Sequence, residues 1–239
     1  MTLKGKRIVV LGGSSGIGLA TAQATAREGA SVVIASHRKT RVDQALIALP
    51  ACAEGHVLDL ADAKSIQELF AQLGDFDHLV FTAGETLQLG SLASTDVEAA
   101  RRAFELRYWG AYLAAKYGSG GIRAGGSIVF TSGTAGHRPR VGWTVVASIC
   151  AAMEGFTRAL AVELAPIRVN IVCPFVVKTA LWAGMTETDR ATLYQRAAER
   201  IPVGRVGEAE EIAEAYLYLM RQSYVTGQVV FVDGGAMLV

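Results

Sequence analysis

Arg7-Ile8-Val9-Val10-Leu11-Gly12-Gly13-Ser14-Ser15-Gly16-Ile17-Gly18 is the stretch on which the fold turns. Its opening residues make a short apolar run, and the residues from Gly16 to about 28 have helical character. Between the two lies a turn with glycine at 12, 13, 16 and 18. Missing side chains let the backbone come close to a ligand, and the free N–H groups and dipole of a helix start favour negative charge. Strand, glycine turn and helix in that order predict a pyrophosphate site at the opening of a βαβ unit. Gly12, Ser14, Ser15, Gly16, Ile17 and Gly18 are its candidate contacts.

The same alternation continues along the chain. Strand-like runs recur at 31–35, 55–58, 78–82, 127–131, 168–173 and 228–232, most of them rich in Val and Ile. Helical patterns lie between them. Residues 63–73 carry a stripe at Ile66, Leu69, Phe70 and Leu73, residues 147–164 are alanine-rich and stop before Pro166, and residues 208–220 open on Glu208, Glu210 and Glu211. Continuous apolar strands separated by amphipathic helices need a parallel sheet covered on both faces. The expected class is α/β, with a single doubly wound, Rossmann-like parallel sheet. No repeat or linker divides the chain, so residues 1–239 read as one domain.

Composition excludes several function classes. Of 239 residues, 51% are hydrophobic, and 23 basic side chains balance 22 acidic ones without a basic run. A nucleic-acid footprint is therefore not expected. The N-terminal segment runs into a strand of about five apolar residues, too short a run for a signal peptide or a membrane span. Cys52, Cys150 and Cys173 are far apart and suit buried thiols in a reducing cytoplasm. His37, His56, His78 and His137 have no metal-binding spacing.

The end of the second strand bears on the choice of dinucleotide, because the adenosine ribose lands there. A carboxylate at that place bonds the ribose hydroxyls and repels a 2′-phosphate. The sequence reads Ala35-Ser36-His37-Arg38-Lys39, with none. Ser36 can donate to a phosphate oxygen, and each charge-assisted bond from Arg38 is worth about 1.5–3 kcal/mol. NADP(H) is the expected cofactor.

The spacing of Gly12, Gly16 and Gly18 resembles the fingerprint of the short-chain dehydrogenase/reductase family, and further segments resemble that family in order. Val57-Leu58-Asp59-Leu60 is similar to its adenine-contacting segment, and Phe81-Thr82-Ala83-Gly84 to its Asn-Asn-Ala-Gly. Pro202-Val203-Gly204-Arg205, Glu211-Ile212-Ala213, Thr226-Gly227-Gln228 and Val232-Asp233-Gly234-Gly235 resemble its C-terminal signature. The resemblance implies that Asp59, Leu60, Thr82, Ala83 and Gly84 touch the cofactor. It places His37 where NADP-using relatives often carry arginine. Pro174-Phe175 replaces a Pro-Gly, while Pro174, Val177 and Thr179 keep positions near the nicotinamide. It further implies a homodimer or homotetramer. A substrate lid is implied around 178–206, with Leu181, Trp182, Met185, Leu193 and Tyr194 as apolar residues.

The family's proton-handling residues do not carry over. It uses a serine and a Tyr-x-x-x-Lys pair, whose spacing puts both side chains on one helix face. Aligned on Ala147-Ser148, those two positions are Val145 and Ile149. Counting back from Val145 selects Ser132 for the serine, counting along the strand selects Gly133, and Arg107 stands where an asparagine is usual. The expected activity is an NADP(H)-dependent oxidoreductase on a small carbonyl, alcohol or imine. Its non-standard site would be built from Ser132, His137 and Arg107, with Arg138, Arg140 or Tyr108 as other sources of a proton or positive charge. The alternative is an NADP(H)-binding sensor or partner subunit without turnover. A third reading is an activated acceptor that needs only hydride positioning.

Overall fold

Along β1 (Arg7–Leu11) successive side chains part to opposite faces of a sheet, Ile8 and Val10 to one core and Val9 and Leu11 to another. The computed structural model describes residues 2–84 and 87–239. After β1 come β2 (Ser31–Ser36), β3 (Glu54–Val57), β4 (Phe76–Phe81), β5 (Ile122–Thr131) and β6 (Arg168–Pro174). Two short strands, β7 (Val177–Lys178) and β8 (Gly207–Glu208), form a separate two-stranded pair, and β9 (Val229–Val232) completes the main sheet. That sheet has seven parallel strands in the order β3-β2-β1-β4-β5-β6-β9. The order reverses between β1 and β4, the point beyond whose C-terminal strand ends such sheets form their ligand crevice.

Helices α1 (Gly16–Arg27), α2 (Lys39–Ile47) and α8 (Ala209–Arg221) cover one face, where Ala20, Ala24, Ile212, Tyr216 and Leu219 meet Ile8, Val10, Val80, Val129 and Val172. On the other face lie α3 (Ala63–Leu73), α4 (Val97–Phe104), α5 (Gly110–Gly118) and α6 (Thr144–Glu163). Ile66, Phe70, Ala111, Ile149 and Met153 there pack on Leu79, Phe81, Ile128 and Phe130. By length and composition α6 could cross a membrane, yet its Ile149, Met153 and Leu160 are spent on this core. Helix α7 (Glu187–Ala198) stands apart with a small cluster of its own.

Local chemistry sets several boundaries. Asp62 caps α3 by accepting from the N–H groups of Lys64 and Ser65. Glu208 and Glu211 form a capping box on α8, and Arg205 holds the Glu211 carboxyl down to about 2. At the other end of α8 the buried Arg168 guanidinium donates to the carbonyls of Leu219 and Met220. Strand β5 starts five residues earlier than the run at 127–131 predicts. The ladder shifts register between Phe76 and His78, and Gly125 at φ 82° lets the longer strand continue.

His78 makes the fold pH-sensitive. Its ring is 3% exposed, with Nδ1 2.9 Å from Ser127 Oγ. Burial, with help from the charge of Arg168, lowers its pKa to about 4. The neutral ring is the stable folded form, whereas the unfolded chain takes up a proton below its ordinary pKa of about 6.5. Stability from this residue is thus complete above that value and falls as pH drops toward about 4. The shift corresponds to about 3 kcal/mol. Urea unfolding at a series of pH values should show that slope, and His78→Gln should remove it. Parallel wild-type and variant curves would contradict this account.

Candidate functional site

The turn after β1 leaves no room for a side chain at its glycines 12 and 18. Gly12 has φ 90°, and a Cβ there would lie 2.5 Å from the backbone N of Ala83. One on Gly18 would lie 2.3 Å from the Gly12 carbonyl oxygen and 2.4 Å from Thr82 Oγ1. The turn is thereby pressed against the end of β4, where the N–H of Thr82 donates to the Leu11 carbonyl at 2.8 Å. Ser15 precedes the first turn of α1 and makes no side-chain cap, which leaves the leading N–H groups to a ligand. Thr179 faces Gly16 from the opposite side, its Cβ 3.3 Å from where a Gly16 Cβ would stand. Ser14 is buried, and Ile17 packs beside the core.

The adenosine end lies at β2. Ser36 is buried at the strand end, while His37 and Arg38 are exposed beyond it, with Arg38 Nε donating to His37 Nε2 at 3.1 Å. Asp59 is exposed and Leu60 buried, and the Asp59 carboxylate accepts from the N–H of Ala61. A glycine cradle lined by backbone amides, with serine, histidine and arginine at the ribose end, fits a phosphorylated dinucleotide.

At the far end of the crevice a π-helical turn, Glu105–Trp109, joins α4 to α5. It brings Arg107 over Gly84, where a Cβ would lie 2.8 Å from the guanidinium carbon. Tyr108 instead packs among Trp109 and Phe156. The loop after β5 meets α6 through Cys150, whose Sγ is 3.5 Å from the position of a Gly133 Cβ. Val146 shares that loop-facing cluster with Cys150, whereas Ile149 is directed into the sheet core. Burial pushes the Cys150 thiol up, opposed by the Ser132 hydrogen bond and the charge of Arg107, so it is held protonated.

Ser132 and His137 do come together, through a residue that sequence reasoning missed. Glu154 of α6 is 4% exposed, with Oε2 2.7 Å from His137 Nε2 and Oε1 3.2 Å from Ser132 Oγ. The Ser132 hydroxyl can donate either to that carboxylate or to the Cys150 carbonyl at 3.3 Å. The carboxylate sits between the hydroxyl and the imidazole, so this is not the order a serine nucleophile needs, in which histidine touches serine. Glu154 was detectable as a carboxylate four residues after Cys150, in the middle of an apolar helix. Among the described residues no group of three or more His, Cys, Asp or Glu side chains is placed to hold a metal.

Leu181, Met185, Leu193 and Tyr194 surround Val176, Trp182, Ala197 and Val206 in a separate apolar cluster that also takes in Phe175 and Leu87. Trp182 Nε1 donates to the Val177 carbonyl at 3.0 Å.

Sheet order, reversal point and glycine turn define a dinucleotide-binding Rossmann protein. Residues 12–237 match the family model described as Enoyl-(Acyl carrier protein) reductase. The chain is 36% identical over 252 aligned positions to "Short-chain dehydrogenase/reductase ATR9" of Stachybotrys chlorohalonatus, covering 99% of each chain. It is 33% identical to "Carbonyl reductase family member 4" of Danio rerio, covering 96% of this chain and 97% of that one. A solved small-chain dehydrogenase in complex with NADPH superposes with a TM-score of 0.89 at 42% identity, over 99% of this chain and 100% of that one. The chain belongs to the short-chain dehydrogenase/reductase family, oxidoreductases that bind nicotinamide cofactors.

Proposed function

We propose that this chain is an NADP(H)-dependent oxidoreductase that acts on a small carbonyl, alcohol or imine through a non-standard site. The observation that carries the cofactor is the end of β2, where Ser36, His37 and Arg38 stand together and residues 35–39 hold no carboxylate. The NADPH complex of a 42% identical protein supports the same choice. In this reading Gly12, Ser14, Ser15, Gly16, Ile17 and Gly18 hold the pyrophosphate, and Asp59 and Leu60 flank the adenine. Thr82, Ala83, Gly84, Pro174, Val177 and Thr179 border the nicotinamide half.

NADPH bound there supplies the hydride. Arg107, over Gly84, offers positive charge to a growing oxyanion. His137, backed by Glu154, is the group that holds or moves a proton, and Ser132 braces the same carboxylate. Val146 and Cys150, rather than Val145 and Ile149, stand where relatives keep tyrosine and lysine. What supports this correction is that the first pair lies against the Gly133–Gly136 loop while Ile149 is core. Moving the pair by one residue also moves the serine position from Ser132 to Gly133, so the two ways of counting agree. We take residues 1–239 as one domain with a lid at 178–206, assembled as a homodimer or homotetramer. We place it in the cytoplasm, in keeping with three unpaired cysteines.

Nicotinamide fluorescence titration tests the cofactor reading. NADPH should bind more tightly than NADH, and Arg38→Ala should weaken NADPH roughly tenfold without changing NADH. Equal affinities in the wild type would overturn it. A second reading, an NADP(H)-binding sensor without turnover, is favoured by the apolar Val146 and the buried thiol of Cys150. Carbonyls, alcohols and imines assayed with purified protein decide between the two, since sound NADPH binding with no turnover on any of them selects the sensor.

A further inference from the structure

Beside the crevice, and outside the cofactor track, a pocket of about 540 Å3 opens between the loop after β5 and the segment that follows α7. Thr134, His137, Arg138, Arg140, Phe175 and Arg200 are among the residues that line it. Arg140 is held in place by stacking, its guanidinium 5.3 Å from the centre of the Trp143 ring and 5.7 Å from that of Phe175. Arg138 is tied back by a 2.9 Å bond to the Met237 carbonyl. Among the described residues none of these three arginines has a carboxylate within 4.0 Å. Some other arginines, though not all, do pair with carboxylates, as at Arg7–Glu54, Arg205–Glu211 and Arg221–Glu28. Cations gathered in one concavity that no carboxylate side chain lines repel each other until an anion arrives.

We infer that this pocket is the seat of a small oxyanion, a carboxylate or phosphate carried by the substrate, gripped by Arg140 and Arg200 with Arg138 at the rim. Planar guanidinium forks match the oxygens of either group and grip them in pairs. Burial and the nearby charge of Arg200 both lower the pKa of Arg140, a penalty that a bound anion relieves. The seat reaches the reaction centre through shared walls. Phe175 follows Pro174 of β6, and His137 lies both in the pocket and against Glu154. An acceptor with its anion here would place its remainder toward Arg107 and the crevice. That the anion belongs to the substrate rests on the oxidoreductase reading; the seat itself does not.

Calorimetric titration of malonate and of inorganic phosphate, at fixed ionic strength, with and without saturating NADPH, tests the seat. At least one of the two should bind with a Kd of order 1 mM or tighter. Arg140→Gln and Arg200→Gln should each weaken it roughly tenfold or more, with NADPH affinity unchanged as the check on folding. The tighter of the two probes identifies the group. No heat from either, or equal affinity in wild type and variants, overturns the proposal. A protein that binds the probe but no NADPH would sink the oxidoreductase reading and leave the seat standing. The converse would sink the seat alone.

Discussion

A Gly18→Val chain is expected to lose NADPH binding altogether, by at least a hundredfold on the order set by about 3 kcal/mol. The cause is contact with backbone. A Cβ at residue 18 falls 2.3 Å from the Gly12 carbonyl oxygen and 2.9 Å from its carbon, backbone atoms that cannot rotate away as the Thr82 hydroxyl at 2.4 Å could. Relief requires moving the turn away from β4, which removes the amides that face the pyrophosphate. Gly155 of α6 is the matched control, because a Cβ there meets nothing within 4 Å. Gly155→Ala should bind NADPH like the wild type and raise stability by up to about 1 kcal/mol. Fluorescence titration and thermal melting read both variants. Normal NADPH affinity in folded Gly18→Val would mean that the dinucleotide lies elsewhere.

Two lysine substitutions, one residue apart on α6, should differ as sharply. Ile149 is 4% exposed among Phe130, Met153 and Ile171, so Ile149→Lys buries an unpaired ammonium in the sheet core. That costs more than about 4 kcal/mol, a large part of a stability of roughly 5–15 kcal/mol, and the chain should be unfolded or aggregated. Cys150→Lys puts the same charge beside the loop at Gly133, four residues before Glu154 on the same helix. Combined with Val146→Tyr it should fold, with a packing loss of about 1–3 kcal/mol from the larger ring. It should also gain ketone reduction of roughly a hundredfold, within the range that general acid catalysis supplies. A soluble Ile149→Lys protein, with the gain arising from Val145→Tyr and Ile149→Lys instead, would reverse the assignment of the helix face.

That helix shows how far the sequence could be read. Four-residue spacing identifies pairs that share a face, and it serves 145/149 and 146/150 equally well. Only the packing of Ile149 on β5 and β6 shows which pair is turned away from the core. Glu154 illustrates the opposite difficulty. A carboxylate in an apolar helix reads as a solvent-facing residue, and here it is buried because Ser132 and His137, far away in sequence, converge on it. Arg200 gave no signal of its own, since its partners in the pocket lie on a loop about sixty residues earlier.

The main strands, the sheet that they form, the phosphate turn and the chemistry at the end of β2 are set by the sequence alone. Each depends on neighbours in the chain, on alternating burial and on backbone freedom at glycine, all of which are local properties. The Ser132–Glu154–His137 contact, the inward turn of Ile149 and the convergence of Arg140 with Arg200 were decided only when β5, β6, α6 and α7 packed. Distances between segments far apart in the chain are set by how volumes fill a common core, and no single segment carries that information.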